Sequence, residues 1–523
     1  MPQQRASGIV LHISSLPNPY GVGTFGGGAY EFVDFLQQSG QQYWQILPLV
    51  PTGYGDSPYQ SCSSSALNPY FIDLDFLRRD GLLEFDQYAY VNFGQNLDYV
   101  DFTKLYEARF EVLRMAFAAG REKCATEFEA FRAKNAGWLR DYSLFMAIKS
   151  RFDMAPLADW PDKDIRMRKP DALRTYRALL RDESLFYEFL QFLCFKQWEE
   201  LKAYANGRGI KIIGDIPIYC AEDSAEVWSQ PELFMLDAEG APSMVAGVPP
   251  DLYSTTGQLW GNPLYDWAYH EKTGFEWWIQ RFEHTMKLYD VVRIDHFRGF
   301  ESYWEVPAGE TVAVKGVWRK GPAMRFINAI RSALPGLDII AEDLGDLTED
   351  VRMFLRETGL PGMSLLVDAF DPDGESEFLP HNVKKNSVAY TSTHDSPTFM
   401  DFYFNQTDHR IRDFARDYMR LAESEGYNWG AVKAAWGSPA YLAMAPMQDI
   451  LGLGADSRMN TPSTEGGRNW QWRVRADAFN SSVAEILLHI TKTYRRVRPA
   501  EPGAEQNGPT SSGENAETEY NGW

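Results

Sequence analysis

Acidic side chains end four of the apolar segments that this sequence predicts to be strands. Asp215 lies in IIGDIPIY, Asp295 in VVRIDHF, Glu342 in IIAEDLG and Asp395 in YTSTHDSPT. In a parallel barrel the carboxyl ends of the strands converge on one face, where barrel enzymes place their chemistry. A single acid after an apolar run usually caps the following helix. Four such acids together favour a catalytic or binding site.

Arg293 precedes Asp295 by two residues, so on a strand both side chains point to the same face. A guanidinium within a few ångströms favours the ionised carboxylate, which predicts a lowered pKa and a charged nucleophile at Asp295. Glu342, on another strand, is expected to be held protonated by the negative field of Asp295 and by partial burial. The sequence thus predicts two carboxyls in different protonation states.

Such a pair suits glycoside chemistry. The carboxylate attacks the anomeric carbon, while the acid protonates the departing oxygen and later activates the acceptor. Asp395 would then hydrogen-bond sugar hydroxyls and stabilise the positive transition state, and His394 could contact the same sugar. A divalent metal site is the main rival, because carboxylate oxygens also bind magnesium. Arg293 would repel a metal ion, so we expect neither a metal nor a cofactor.

A second motif resembles a dinucleotide-binding fingerprint. GVGTFG (21–26) has the G-x-G-x-x-G spacing, follows a predicted strand and opens a helix. Pro17 and Pro19 break the tight turn that a phosphate site needs, and about 20 residues further on Gln41, Gln42 and Tyr43 stand in place of the ribose-binding acid. A loop that needs glycine backbone freedom explains the motif better than nicotinamide or flavin binding.

The elements that must position these residues alternate between short apolar runs and helical patterns. Near-continuous hydrophobicity is typical of parallel strands covered on both faces. AYEFVDFLQQSG (29–40) predicts a helix with Phe32, Phe35 and Leu36 on one face. Seven or eight repeats favour an α/β fold of the closed (β/α)8 TIM-barrel type. The predicted strands are GIVLHISSL (8–16), YWQILPLV (43–50), KIIGDIPIY (211–219), VVRIDHF (291–297), LDIIAED (337–343), GMSLLVDAF (362–370), SVAYTSTHD (387–395) and, as the eighth, MQDILGL (447–453).

The spacing of these strands is uneven. About 160 residues separate the second strand from the third, and their pattern is mainly helical. We therefore expect a catalytic barrel over 1–497, with a mainly helical insertion at about 60–207 on the C-terminal rim. A substrate-cleft loop region is expected at about 220–290. The Pro/Gly/Ser/Glu-rich stretch 498–523 predicts a disordered acidic tail.

Composition limits the partners. With 51 Lys and Arg against 72 Asp and Glu, the formal net charge is −21, so nucleic acid and acidic bilayers would be repelled. The four cysteines are too sparse for a disulfide scaffold and too far apart for a close-paired zinc motif. The chain also has no apolar run of membrane-spanning length and no signal-peptide pattern at MPQQRASG. These features predict a soluble cytoplasmic protein.

Aromatic residues make up 14% of the chain, and several lie in loops rich in Gly, Pro, Asn and Ser. Examples are PTGYGDSPYQ (51–60) and TTGQLWGNPLYDW (255–267). Exposed rings stack well on the apolar faces of sugars. Ordinary packing explains any single ring about as well, so this pattern supports a sugar site without establishing one.

Seven blocks of the sequence resemble those of 4-α-glucanotransferases, the amylomaltase or disproportionating-enzyme family of the α-amylase-like barrels. The matching blocks run in the family's order through nearly the whole chain before the tail. They are SSLPNPYGVGTFG (14–26), WQILPLVPTGYGDSPYQSCSSSALNPYFIDLD (44–75), IGDIPIY, GVPPDLYSTTGQLWGNPLYDW (247–267), VVRIDHFRGF (291–300), IIAEDLG and TPSTEGGRNWQWR (461–473).

The resemblance implies a retaining transfer of maltooligosyl units between α-1,4-glucans, with glucose or a glucan as acceptor. It implies Asp295 as nucleophile, Glu342 as acid/base and Asp395 as transition-state stabiliser. Other positions are implied to hold the sugars or to cover the cleft. The implied sugar contacts are Ser57, Tyr59, Asp215, Gln258, Trp260, Arg293, His394 and Asn460, and the implied cleft loop carries Asp251 and Tyr253.

One stretch departs from the family pattern. After Asp395 the chain continues Ser396-Pro397-Thr398, where the resemblance leads us to expect Asn-Asp-Thr. The catalytic acid is retained, so the departure is expected to alter neighbouring sugar contacts more than the reaction. An α-1,4-glucan hydrolase that uses the same acids with water, and a catalytically silent glycan-binding protein, remain as alternatives.

Overall fold

The computed structural model describes residues 4–53, 55–250, 254–345, 347–464 and 466–498. The tail predicted over 498–523 therefore lies outside the described residues, apart from Arg498. Within the described part of the chain, no helix is both long enough and apolar enough to cross a membrane.

Eight parallel strands form the central barrel. Around the barrel their order is β1, β2, β3, β6, β9, β10, β11 and β12, with β12 pairing again with β1. The predicted (β/α)8 class is therefore confirmed. Their bounds are Ala6–Val10 (β1), Tyr43–Gln45 (β2), Lys211–Ile216 (β3), Val291–Ile294 (β6), Ile339–Ala341 (β9), Gly362–Leu365 (β10), Ser387–Tyr390 (β11) and Leu442–Pro446 (β12).

The barrel seam lies between β9 and β10. There the Ala341 N–H donates to the Pro361 carbonyl at 2.9 Å, and the Met363 N–H donates to the Asp343 carboxylate at 2.6 Å. The side chain of Asp343 thus supplies an acceptor where the neighbouring strand would otherwise supply a carbonyl. The seam matters for function because β9 ends immediately before Glu342.

The prediction for the eighth strand was wrong. The strand is Leu442–Pro446, and the predicted segment 447–453 instead begins with the helix Met447–Ile450. Short apolar runs do not distinguish a buried helix from a buried strand. Here Pro446 ends the strand, and the chain turns directly into the helix.

A second, antiparallel sheet has the order β5-β4-β7-β8. Its strand β7 follows β6 through the turn Phe297–Phe300, which places this sheet beside the carboxyl end of the barrel. The sheet matters because β5 carries Gln258 and Trp260. Its bounds are Met244–Val248 (β4), Gln258–Pro263 (β5), Ser302–Pro307 (β7) and Val317–Lys320 (β8).

Helices surround the barrel and fill the long interval between β2 and β3. The predicted helix over 29–40 is observed at Gly27–Gln38, with Phe32, Phe35 and Leu36 buried and Gly40 at φ +72° beyond its end. The barrel-side helices are Gly27–Gln38, Glu276–Leu288, Met324–Ala333, Glu349–Thr358, His409–Met419, Tyr427–Gly437 and Ser481–Thr493, and those between β2 and β3 are Phe102–Lys123, Ala125–Lys134, Ala136–Arg151, Pro170–Leu179 and Arg181–Gly207. Shorter α-helices are Leu74–Arg79, Lys163–Arg166, Ala225–Ser229, Trp267–Lys272, Phe399–Asp401 and Met447–Ile450.

The long helix Arg181–Gly207 fixes the loop that follows β2. The buried amide of Gln191 accepts from the Leu67 N–H and donates to the Leu67 carbonyl, each at 2.8 Å. Gln197 accepts from the Asp73 N–H at 2.7 Å. Buried amides paired with main chain in this way hold an irregular segment in one conformation, and this segment carries Tyr59 into the barrel mouth.

The glycines of GVGTFG serve close approach of the chain. Gly21 has φ +83°, and a Cβ on Gly26 would lie 1.9 Å from the Asp73 carboxylate. An anionic side chain therefore sits against the start of the following helix, where a dinucleotide fold places its phosphates. This arrangement supports the loop interpretation of the motif.

Candidate active site

The acids and Arg293 meet at the carboxyl end of neighbouring strands. Asp215 on β3 pairs in register with Arg293 on β6. The Arg293 guanidinium donates to Asp215 at 2.6 Å and to Asp295 at 3.1 Å. The side chains of Arg293 and Asp215 are 3% and 0% exposed, whereas 25% of the Asp295 side chain is exposed. Asp295 is thus the member of this group whose side chain is partly exposed to solvent.

Tyr59 connects this group to the other side of the barrel mouth. Its hydroxyl donates to Asp215 at 2.8 Å and lies 2.9 Å from Nε2 of His394. The Tyr59 and His394 rings are parallel within 8°, with centroids 5.4 Å apart. The Tyr59 phenol therefore joins Asp215 to His394, which lies 335 positions from Tyr59 in the sequence.

Asp395 lies at the far end of this chain of contacts. It is 3.1 Å from Nε2 of His394, and it accepts from the Asn460 amide at 2.6 Å. Arg458 donates to the Asp395 main-chain carbonyl at 2.8 Å. The Asp395 side chain is 42% exposed, so solvent also reaches this carboxylate.

Glu342 is held by the main chain that leaves β6 and β9. Its carboxylate accepts from the His296 N–H at 2.8 Å and from the Leu344 N–H at 2.7 Å. His296 has φ 49°, a left-handed conformation that is uncommon for a residue other than glycine. That conformation, one residue after Asp295, turns the His296 N–H toward Glu342 and ties the two acidic segments together.

The aromatic and amide positions line the same region. The Trp260 ring packs edge-to-face on His296, with centroids 4.8 Å apart. Its indole N–H donates to Gln258 at 3.2 Å, and Ser57 accepts from the Tyr59 N–H at 3.3 Å. Gln258 thus orients the Trp260 ring, and Ser57 holds the main chain at Tyr59. Asp251 and Tyr253 of the predicted cleft loop lie outside the described residues.

Burial changes the electrostatics of the predicted nucleophile. It raises the pKa of Asp295 to about 7, and the negative charges of Asp215 and Glu342 act in the same direction. The Arg293 guanidinium lowers this pKa, as expected, but does not outweigh burial. The prediction of a net lowered pKa for Asp295 was therefore wrong, because sequence spacing gives the neighbouring charge but not the loss of solvent.

At Asp395 and His394, neighbouring groups outweigh the effect of burial on the pKa. Burial would raise the pKa of Asp395, but His394 and the Asn460 amide hold it well below its usual range. Burial would lower the pKa of His394, but the Asp395 carboxylate raises it. Asp395 therefore stays negatively charged in the range where enzymes work, and its charge favours the protonated form of His394.

The turn that departs from the family pattern is closed by its own side chain. The Ser396 hydroxyl accepts from the Thr393 N–H at 2.8 Å. Thr398 then caps the helix Phe399–Asp401 by accepting from the Asp401 N–H at 3.2 Å. The segment Ser396-Pro397-Thr398 thus forms an ordered turn and leaves Asp395 in contact with His394 and Asn460.

Comparisons with known proteins decide the family. A family model described as 4-alpha-glucanotransferase matches residues 11–478. The chain belongs to the 4-alpha-glucanotransferase family. The 4-alpha-glucanotransferase of Clostridium butyricum is 48% identical over 487 residues, which cover 93% of this chain and 100% of that relative. That of Thermus thermophilus is 46% identical over 503 residues, covering 94% and 99%.

Solved structures of the 4-alpha-glucanotransferase family agree with this assignment. The chain superposes on an amylomaltase from Streptococcus agalactiae in complex with acarbose with a TM-score of 0.92 and 42% identity, covering 95% of this chain and 100% of that one. An amylomaltase from Corynebacterium glutamicum gives a TM-score of 0.74 at 20% identity, covering 94% and 74%. The second likeness supports the fold alone.

Sequence reasoning missed several residues of this family member's site. Trp470 lies beside both Tyr59 and His394, with centroids 5.8 and 6.2 Å away. The Arg458 guanidinium donates to the main-chain carbonyl of Asp395, and the main-chain N–H of His296 donates to the Glu342 carboxylate. The only signal for Arg458 is its position two residues before Asn460. Within the described part of the chain, no group of three or more His, Cys, Asp or Glu side chains is placed to hold a metal ion.

Proposed function

We propose that this chain acts as a retaining 4-α-glucanotransferase, in which Asp295, Glu342 and Asp395 carry the reaction. The observation that supports this most is the unbroken line of contacts from Asp295 through Arg293 and Asp215 to Tyr59, and from there to His394 and Asp395. The carboxylates at its two ends, those of Asp295 and Asp395, are both partly exposed. We infer that they face one cleft, which would hold a sugar so that its anomeric carbon is attacked while positive charge is stabilised.

In the first step Asp295 attacks the anomeric carbon of the donor glucan from the face opposite the departing chain. Glu342 gives its proton to the departing glycosidic oxygen, so the shortened glucan or glucose leaves as a neutral alcohol. The products of this step are a maltooligosyl ester on Asp295 and an ionised Glu342. Asp395, kept charged by His394 and Asn460, stabilises the oxocarbenium-like transition state.

In the second step the 4-hydroxyl of another glucan or of glucose attacks the ester. Glu342 now accepts the proton of that hydroxyl, and Asp295 leaves as a carboxylate. Two inversions give net retention, and both acids return to their starting protonation states. A double displacement requires the two carboxyl groups about 5–5.5 Å apart. A crystal structure with Asp295 and Glu342 separated by about 7 Å or more would contradict it.

The binding groups fit an α-glucan. The partly exposed rings of Tyr59 and Trp260 can stack on sugar faces, while Asp215 and Arg293 fix the charged floor of the cleft. We further propose that residues 1–497 act as one catalytic unit in the cytoplasm. The four cysteines Cys62, Cys124, Cys194 and Cys220 are free thiols, which suits a reducing compartment.

Incubation with maltotriose tests this function. Transfer is expected to give glucose together with oligomers longer than three units, because the acceptor is another glucan. An α-1,4-glucan hydrolase would give glucose and maltose with no product above the starting length, and a non-catalytic glycan-binding protein would give no product. Separation of the products by length distinguishes the three outcomes.

The acid limb of the pH profile is expected near neutrality. Attack requires the ionised form of Asp295, and its pKa of about 7 means that lowering the pH protonates the nucleophile. In the free enzyme, kcat/KM should therefore fall about tenfold for each pH unit below about pH 7. Initial rates of maltotriose transfer measured from about pH 4.5 to 8 check this. An acid limb centred at about pH 4 would show that Asp295 keeps its ordinary pKa.

A further inference from the structure

The one-turn helix Met447–Ile450 follows β12 directly and carries two polar side chains into the protein interior. Asp449 is fully buried and Gln448 is 7% exposed. Neither touches the proposed catalytic groups through a hydrogen bond. Each contacts one of the two segments that meet at Asp395.

Asp449 holds both ends of the segment that carries His394 and Asp395. Its Oδ2 accepts from the hydroxyls of Thr391 and Ser392 at 2.5 and 2.6 Å. Its Oδ1 accepts from the Phe399 N–H at 2.7 Å. Thr391 and Ser392 precede Asp395, whereas Phe399 follows it. One carboxylate thus fixes the distance between the two ends of this loop.

Gln448 holds the second segment. Its amide donates to the Ser457 carbonyl at 3.2 Å, immediately before Arg458. Arg458 donates to the carbonyls of Asn460 and Asp395, and the Asn460 amide donates to the Asp395 carboxylate. Gln448 also lines a small cavity together with His394. The same helical turn therefore touches both segments that determine where the Asp395 carboxylate lies.

We propose that the helix Met447–Ile450 is the positioning element of the transition-state stabiliser, with Asp449 as the positioning residue that acts through Asp395. This inference rests on the proposed function, because it needs Asp395 to stabilise the transition state. Electrostatic stabilisation depends on groups held in place before reaction. A displacement of about 1 Å can cost about 100-fold in rate.

A carboxylate suits this task better than other side chains. Its two oxygens accept from three donors, and these hydrogen bonds oppose the rise in pKa that burial of Asp449 causes. An alanine at position 449 would leave the Phe399 N–H and two hydroxyls without this acceptor. An asparagine would keep one acceptor oxygen, and its NH2 group could donate to a hydroxyl that rotates. We therefore expect the loss of positioning to be smaller in Asp449→Asn than in Asp449→Ala.

The first experiment measures maltotriose transfer by the Asp449→Ala and Asp449→Asn variants. Relative to wild type, kcat per folded molecule is expected to fall about 100-fold in Asp449→Ala and about 10-fold in Asp449→Asn. KM should stay within about threefold, because substrate contacts are unchanged. If Asp449→Ala does not fold, Asp449→Asn and Ser392→Ala carry the test, since each keeps most of the hydrogen bonds.

A matched control is Asp73→Asn. Asp73 is also buried, and its carboxylate accepts from the Thr24 hydroxyl at 2.6 Å and from the Phe76 N–H at 3.0 Å. None of these partners is a proposed site residue. Asp73→Asn should lower the melting temperature by an amount similar to Asp449→Asn while leaving kcat within about twofold.

The second experiment is a double-variant cycle. In an Asp395→Asn background, Asp449→Asn should cost no further activity, because its effect is transmitted through the Asp395 carboxylate. An equal loss in both backgrounds would mean a purely structural role and would overturn the inference, as would a wild-type kcat in Asp449→Asn. Failure of the proposed function would be recognised separately, because wild type itself would then give no products longer than maltotriose.

Discussion

Replacing Asp295 with asparagine is expected to reduce maltotriose transfer by about 10⁴-fold or more. The amide has the same shape and keeps a hydrogen-bond acceptor for Arg293, but it cannot form the ester that links the two half-reactions. Fold and substrate binding should persist. Rates measured at high enzyme concentration, with melting temperature as a check on folding, test the expectation.

A matched control lies at the opposite end of the same strand. Asp290 precedes β6 and accepts from the Ile212 N–H at 2.8 Å, away from the cleft. Asp290→Asn should lose some stability and keep a turnover within about threefold of wild type. If Asp295→Asn retained more than about 1% of wild-type turnover, another group would have to be the nucleophile.

Addition of azide to an Asp295 variant also tests whether Asp295 is the nucleophile. With Asp295 shortened to alanine, azide can occupy the space vacated by the carboxylate. With a donor whose leaving group is fluoride, it should give a glycosyl azide of inverted, β configuration, since a single displacement then replaces two. An α product would mean that the covalent intermediate still forms on another residue.

The barrel could be predicted because most of its strands are recognisable from the local sequence pattern alone. Val291–Ile294 and Ile339–Ala341 are short, apolar and followed by acids, and the structure places them as neighbouring strands. The eighth strand could not be found in this way. LAMAP contains two alanines and a proline and lacks β-branched residues, whereas MQDILGL contains an isoleucine and two leucines. Pairing with β1 and β11 decides the outcome, and that pairing is not local.

The chemistry of the site was predictable only in part. Residue types and strand positions indicated Asp295, Glu342 and Asp395. The way in which these acids are held depends on contacts between distant segments, such as Tyr59 with Asp215 and His394. The direction of the Asp295 pKa shift depends on burial in the folded protein, which the sequence spacing of Arg293 and Asp295 does not reveal.

The contacts of the helix Met447–Ile450 could not be predicted from the sequence either. Its acidic residue, Asp449, stands in an apolar run and carries no sign in the sequence that it would bind Thr391, Ser392 and Phe399. A buried carboxylate whose hydrogen-bond donors are hydroxyls and an amide group leaves no charge pattern to find. Such positioning residues become visible only once the fold brings the segments together.

Replacing Glu342 with glutamine is expected to lower transfer from maltotriose by about 10³- to 10⁴-fold, in a way that depends on the leaving group. The departing sugar oxygen needs a proton, whereas fluoride does not. With α-maltosyl fluoride as donor, Asp295 should therefore still be glycosylated, but the acceptor hydroxyl would lack its base. The maltosyl-enzyme should accumulate, and intact-protein mass spectrometry would detect the added maltosyl unit.

Azide needs no base, so it should release that intermediate from Glu342→Gln and give the retained, α-configured glycosyl azide. The neighbouring Asp343→Asn is the control. Burial raises the pKa of Asp343 to about 7, and its carboxylate accepts the Met363 N–H at the barrel seam, so asparagine resembles its protonated form. This variant should lose stability without changing the ratio of rates on fluoride and maltotriose. An equal loss in the rate at which both donors glycosylate Asp295 in Glu342→Gln would contradict the acid/base role, because a group that protonates the leaving oxygen must matter less in this step when that oxygen is absent.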